Sequence, residues 1–149
     1  MTTTIVFPKK QLQLVISQSG CVVGLHYHLH QADYWYVPFG TVRVVLHDLR
    51  QGSPTEGVTE ETDLVGTKHR GIYIPPGVAH GFATLTDATI TYMVDSYYNP
   101  SDELGVAWND PEIAADWGVD NPTLSERDQS NPLRNAIPEV DQPRYGLRN

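Results

Sequence analysis

The sequence predicts an all-β domain, closed as a barrel or a sandwich, and three observations carry that expectation. Apolar and polar residues alternate with period two in several short runs, TVRVVLHDL (Thr41 to Leu49) being the clearest. Turn residues punctuate the chain, which has Gly 12 and Pro 11 among 149 residues. No sustained helical period occurs before residue 110.

Taken in order, TIVF (Thr4 to Phe7) and LQLVIS (Leu12 to Ser17) read as strands separated by Pro8-Lys9-Lys10. Gln18-Ser19-Gly20 is a turn signal, and the following strand, CVVGLHYHLH, is the most informative stretch of the chain. Side chains two apart in a strand point the same way, so His26, His28 and His30 would share one face and Leu25, Tyr27 and Leu29 the other. Pro38-Phe39-Gly40 marks a turn into the alternating strand, in which Val42, Val44 and Leu46 oppose Arg43, Val45 and His47. RQGSPTEG (Arg50 to Gly57) is loop, and the polar run Val58 to Val65 reads as an edge or exposed strand. GIYIP (Gly71 to Pro75), His80 to Leu85 and Ala88 to Tyr98 complete the strands. The character changes after Asn99-Pro100. PEIAADW (Pro111 to Trp117) predicts a short helix with Asp110 as its cap, and later prolines forbid long elements. The expectation is one domain, 1–149, with a barrel over about 3–100 and an extension over about 101–149 that ends in a tail or an arm on a partner subunit.

A net charge of -8 argues against nucleic-acid and anionic-membrane surfaces, both of which would repel the chain. The single cysteine, Cys21, excludes an internal disulfide framework and suits a cytoplasmic protein. The first residues contain neither a signal-peptide pattern nor a run of ~20 apolar residues able to span a bilayer.

Gly20, His26, His28, Asp33 and Gly40 have the spacing of the first motif of the cupins, with Asp33 where Glu is usual, and Pro75-Pro76-Gly77-Val78-Ala79-His80 resembles the second motif. That resemblance implies a small jelly-roll β-barrel and a metal site of His26, His28, Asp33 and His80. Three histidines and a carboxylate suit iron, manganese, nickel or zinc as a divalent cofactor. His30 shares their face but is not required by the motif, so a place at the pocket mouth, touching substrate, is the expectation for it.

From Gly20 to about Leu133 the chain also resembles the dTDP-4-dehydrorhamnose 3,5-epimerase family. GLHYH (Gly24 to His28), Ser53-Pro54-Thr55, IPPGVAHGFATL (Ile74 to Leu85), YYNP, WNDP (Trp108 to Pro111) and LSERD (Leu124 to Asp128) occur in that family's order. The resemblance implies epimerisation next to a keto group, with His26 as general base, Asp128 as its orienting carboxylate, Tyr92 as general acid and His80 a second pocket histidine; it also implies a homodimer. An imidazole removes such a proton near neutral pH only if the developing enolate is stabilised, and a donor on the opposite face then reprotonates with inversion.

Three departures accompany the match. Val23 replaces the arginine before GLHY, His28 replaces a glutamine, and Asp33 replaces the pocket lysine. The first and third remove positive charge that would meet a diphosphate and an enolate oxygen. The second and third restore the cupin metal motif. On these grounds the leading expectation is a metal-binding epimerase-like enzyme acting on a small carbonyl compound or deoxysugar. The alternatives are a metal-dependent oxygenase, lyase or cyclase, a metal-free deoxysugar 3(,5)-epimerase, and a non-catalytic metabolite-binding cupin. Arg43 and Arg70 are candidates for substrate anions, although strand arginines are ordinarily solvated. Two assignments stay open: Asp128 belongs to a Ser125-Glu126-Arg127-Asp128 capping box as readily as to a catalytic pair, and Tyr92 suits strand packing as readily as proton transfer.

Overall fold

The computed structural model describes residues 11–146. The expected strand Thr4 to Phe7 and the last three residues lie outside that range. Two antiparallel sheets face each other as a jelly roll. One is four-stranded, ordered β1 (Gln11–Ser17), β8 (Ala88–Val94), β3 (Asp33–Phe39), β6 (Gly71–Ile74). The other is five-stranded, ordered β5 (Thr59–Val65), β4 (Thr41–Asp48), β7 (Val78–Thr84), β2 (Val22–Tyr27), β9 (Leu104–Gly105). The polar run expected at an edge is indeed the edge strand β5, where its exposed acids discourage further strand pairing.

The alternation read in β4 serves two cores. Val42 and Val44 point between the sheets, where they meet Trp35, Val37, Ile74, Phe82 and Ile90. Val45 points out of the barrel and joins Leu25, Tyr27 and Ala83 beneath a layer formed by Val106, Ile113, Trp117 and Ile137. The extension therefore covers the outer face of the five-stranded sheet, and its central strands β2, β4 and β7 are largely buried on both faces. A strand buried on both faces needs apolar residues at successive positions, as Val44-Val45 supplies.

β2 departs from simple alternation in a way that matters for the site. Its pairing with β7 shifts register between Val23 and His26. Val22, Leu25 and Tyr27 enter the outer core while Val23 and His26 both line the interior cavity. Gly24 makes the shift possible: its φ is +115°, and a Cβ there would lie 2.7 Å from the Gly81 Cα and 2.9 Å from the His80 carbonyl oxygen.

The short helix expected over Pro111 to Trp117 is a turn. Asp110 does cap it, accepting from the amides of Glu112 (2.7 Å) and Ile113 (3.2 Å), but Ala114 takes φ 50° and stops propagation after one turn. The one α-helix among the described residues is α1 (Glu126–Ser130), whose first turn is capped by Ser125 through its hydroxyl and the Asp128 amide. No helix among the described residues is long and apolar enough to cross a membrane.

His47 is fully buried where β4 meets the extension. Its Nδ1–H donates to the Thr59 hydroxyl (2.9 Å), which itself donates to the Ile113 carbonyl (2.7 Å), and its Nε2 has no partner. Burial, with Arg134 nearby, pushes the ring pKa down to about 4 against the opposing pull of Asp110 and Asp48. The unfolded chain therefore takes up this proton first as pH falls. The ring's contribution to stability is intact above about 6.5 and is lost between there and about 4. Urea unfolding between pH 7 and pH 4 should show stability falling on acidification, with His47 supplying at most one proton, about 1.4 kcal/mol per pH unit. His47→Gln should flatten that dependence; an unchanged slope would remove His47 from the account.

Candidate active site

The interior cavity, about 400 Å³, opens between the sheets at the end where β2 and β7 carry histidines. From the five-stranded sheet come Val23, His26, His80 and Phe82, with His28 and His30 just past the end of β2; from the four-stranded sheet come Gln13, Asp33, Trp35, Tyr92 and Val94. The expected sharing of a face by His26, His28 and His30 is what is seen at the cavity, although only His26 is still in the strand.

His26 and Asp128 form a short polar contact, Nε2 to Oδ1 at 2.6 Å. The carboxylate accepts, so Nε2 carries the hydrogen and Nδ1 is left as a lone pair. Asp128 has a further hydrogen bond, from the Ser125 hydroxyl to Oδ2 at 2.9 Å. Burial would raise its carboxyl pKa, but the hydrogen bonds from His26 and Ser125 outweigh burial and hold it below the usual value. Asp128 thus takes part in both arrangements, its amide in the Ser125 cap and its carboxylate on His26. Tyr92 lines the cavity from β8, on the sheet opposite His26, in register with Gln13 and Trp35. Burial, with Asp33 and Glu103 nearby, raises its pKa, which keeps the phenol protonated at neutral pH.

His28, Asp33 and His80 form a second cluster, in which one nitrogen of each histidine and a carboxylate oxygen lie within 4.8 Å of one another. His80 Nδ1 donates to the Val78 carbonyl (2.9 Å), and His28 Nδ1 donates to the Asp102 carbonyl (2.6 Å). Asp33 accepts from Gln31 Nε2 (2.9 Å) and from Trp35 Nε1 (3.1 Å). Burial pushes His80 down to about 4, the facing Asp33 carboxylate works against this and His28 adds to it, so the ring is neutral at pH 7.

Two candidates lie elsewhere. Arg43 is on the outer face of β4, its guanidinium held by Asp63 (3.0 Å) and Asp116 (3.3 Å) against the extension, so it does not reach the cavity. Arg70 is exposed between the turn after β5 and the start of β6, away from the cavity lining.

One supporting residue had no signal in the sequence. Asp102 is buried, and its carboxylate takes the amides of Leu29 (2.6 Å) and His30 (3.2 Å) while its carbonyl holds His28. A contact spanning 72 to 74 positions leaves no local pattern to read.

A model of the dTDP-4-dehydrorhamnose 3,5-epimerase family matches residues 2–135. The chain belongs to that family. Among members it is similar to, the dTDP-4-dehydrorhamnose 3-epimerase of Streptomyces niveus is 42% identical over 123 residues, which is 80% of this chain and 59% of the relative. The dTDP-4-dehydrorhamnose 3,5-epimerase of Pseudomonas aeruginosa is 40% identical over 117 residues, 76% of this chain and 65% of the relative. The crystal structure of NovW, a 4-keto-6-deoxy sugar epimerase of Streptomyces spheroides, superposes with a TM-score of 0.86 at 39% identity, covering 91% of this chain and 70% of that one. The chain thus spans about six-tenths of the length of the curated relatives it matches.

Family membership corrects the expectation of an iron, manganese, nickel or zinc cofactor, because epimerases of this family act without a metal. Geometry agrees with the correction. The four expected ligands, His26, His28, Asp33 and His80, do not form one set: the clustered group among the described residues is His28, Asp33 and His80, and His26 is bound to Asp128. The oxygenase, lyase and cyclase alternatives depended on that metal and fall with it.

Asp102→Ala should leave the Leu29 and His30 amides without their acceptor and cost about 1–3 kcal/mol in urea unfolding. The amide resonances of both residues should shift or broaden; a variant as stable as the parent would show that solvent replaces the carboxylate.

Proposed function

We propose that this protein is a metal-free epimerase that inverts a carbon next to the keto group of a 4-keto-6-deoxysugar. The observation that carries the proposal is the pairing of His26 with Asp128 on one wall of a cavity and a protonated Tyr92 on the opposing wall. His26 Nδ1 removes the proton, the Asp128 carboxylate stabilises the imidazolium that results, and Tyr92 delivers a proton to the other face of the enolate. Names of the relatives support the reaction class: they are called dTDP-4-dehydrorhamnose 3-epimerase, dTDP-4-dehydrorhamnose 3,5-epimerase and 4-keto-6-deoxy sugar epimerase. Barrel and extension act as one domain in this reading, since the base sits on one and its carboxylate on the other.

Proton exchange in heavy water, followed by NMR on EDTA-treated protein with 4-keto-6-deoxysugars, tests the assignment. His26→Asn should lower exchange by about 10²–10⁴-fold. Tyr92→Phe should keep exchange at the base's own face yet lose inversion, whereas Arg43→Ala should change neither. Full inversion by Tyr92→Phe, or loss of activity on EDTA treatment, would sink the proposal.

We infer a homodimer formed by the outer face of the four-stranded sheet. Support comes from Leu12, Leu14 and Ile16 on β1, exposed by 67%, 63% and 79%, and Tyr73 on β6, exposed by 50%, apolar side chains that no described residue covers. A second copy would cover them. Sedimentation of Leu14→Lys should show monomer where the parent shows dimer; a dimer unaffected by that charge would place the contact elsewhere.

A further inference from the structure

The carboxylate of Asp33 is 4% exposed, and no lysine or arginine pairs with it among the described residues. Its hydrogen bonds come from neutral donors, Gln31 and Trp35, and the nearest basic group, His80 Nε2 at 3.7 Å, belongs to a ring whose other nitrogen already carries the hydrogen. An ionised carboxylate buried without a cation is costly, and chains ordinarily avoid the arrangement unless something supplies the missing charge.

The surroundings say what that something is. Nδ1 of His28 and Nδ1 of His80 are both spent on backbone carbonyls, which leaves Nε2 of each ring as the nitrogen without a backbone partner, an acceptor wherever the ring is neutral. A carboxylate at Asp33 has lone pairs on both oxygens and no hydrogen to donate. Three acceptors thus converge within 4.8 Å, with no donor among them left to offer. Trp35 adjoins the cluster, donating its Nε1–H to Asp33 and packing at 87° to His80 with ring centroids 5.2 Å apart. Elsewhere in the described lining no Lys or Arg appears, and Asp102 and Glu103 add two further acids; Arg127 at the rim is committed to Glu103 at 2.6 Å.

We propose that His28, His80 and Asp33 bind a primary ammonium group carried by the substrate, so that the keto sugar handled by this site is an amino sugar. A protonated primary amine presents three N–H donors to three acceptors and supplies the charge that Asp33 lacks. A hydroxyl at the same position offers one donor and no charge. The replacement of the family lysine by Asp33 is then an exchange of polarity between protein and ligand: the positive charge near the reacting carbon arrives on the substrate.

This inference rests on the epimerase reading for the word substrate, but its test reads binding alone. Isothermal titration of EDTA-treated protein at pH 7 would compare methyl glycosides of a 3-amino-3,6-dideoxyhexose, its N-acetyl derivative and the matching 6-deoxyhexose with hydroxyl at the same carbon, with dTDP as a fourth probe. The free amine should bind at least about tenfold more tightly than either neutral analogue, and Asp33→Asn should abolish that preference. Should Asp33→Asn fail to fold, the N-acetyl comparison on the parent protein still reads the charge. Equal binding of amine and hydroxyl compounds, or binding of dTDP with no amine preference, would overturn the ammonium site and leave the epimerase proposal standing. Amine binding that survives in His26→Asn, alongside loss of exchange, supports both; amine binding with no exchange on any keto sugar supports the ammonium site and removes the reaction.

Discussion

The hydrogen bond between His26 and Asp128 joins two parts of the chain that are 102 positions apart, and most of the architecture around the cavity is needed to make it. His26 faces inward because Gly24 shifts the register of β2. Asp128 reaches it because β9 pairs with β2, the extension then folds over the outer face of the five-stranded sheet, and Ser125 starts a helix at the point of return. The outer core of Leu25, Tyr27, Val45, Ile113 and Trp117 is what fixes this path. Burial of those side chains, each worth roughly 1.5–3 kcal/mol, far outweighs the one polar contact they position.

Much of the barrel was legible in the sequence because period-two alternation is a local property, and β4 shows it within a few residues, while the polarity of β5 marks it as an edge. The turn at Pro111 was misread for an equally local reason. Asp110, Pro111 and an acidic first turn are good helix-start chemistry, and nothing in PEIAADW announces that Ala114 adopts φ 50°. Ile113 and Trp117 both insert into the outer core, as an i, i+4 pair on one helix face also would, so their spacing does not distinguish the turn from a helix.

The site was half legible. Histidines and tyrosine at strand spacing, in motifs whose order matches a family, could be named from residues alone. Partners that arrive from the other end of the chain could not, and Asp102 is the plainest case. The apparent metal motif shows why spacing is a weak guide to ligation. Its residues do gather in part, but coordination depends on which nitrogen faces which neighbour. Asp128 claims Nε2 of His26 and separates it from the set, whereas the carbonyls of Val78 and Asp102 hold Nδ1 of His80 and His28 and leave Nε2 of each ring turned to other partners. None of those bonds leaves a trace in spacing. The exchange of a pocket lysine for Asp33 is legible as a loss of charge, while the direction of compensation becomes visible only when the acceptors around it are counted.

The return of the extension across the barrel has a consequence for the order in which competence is acquired. Every strand of the barrel precedes residue 106, whereas the carboxylate that orients His26 lies at 128, beyond the segment that must first seat Ile113 and Trp117. During synthesis the cavity walls emerge from the ribosome before the group that sets the histidine's tautomer. A nascent or C-terminally nicked chain that stops short of residue 128 would thus carry the strands that line the pocket and lack the carboxylate that holds the imidazole.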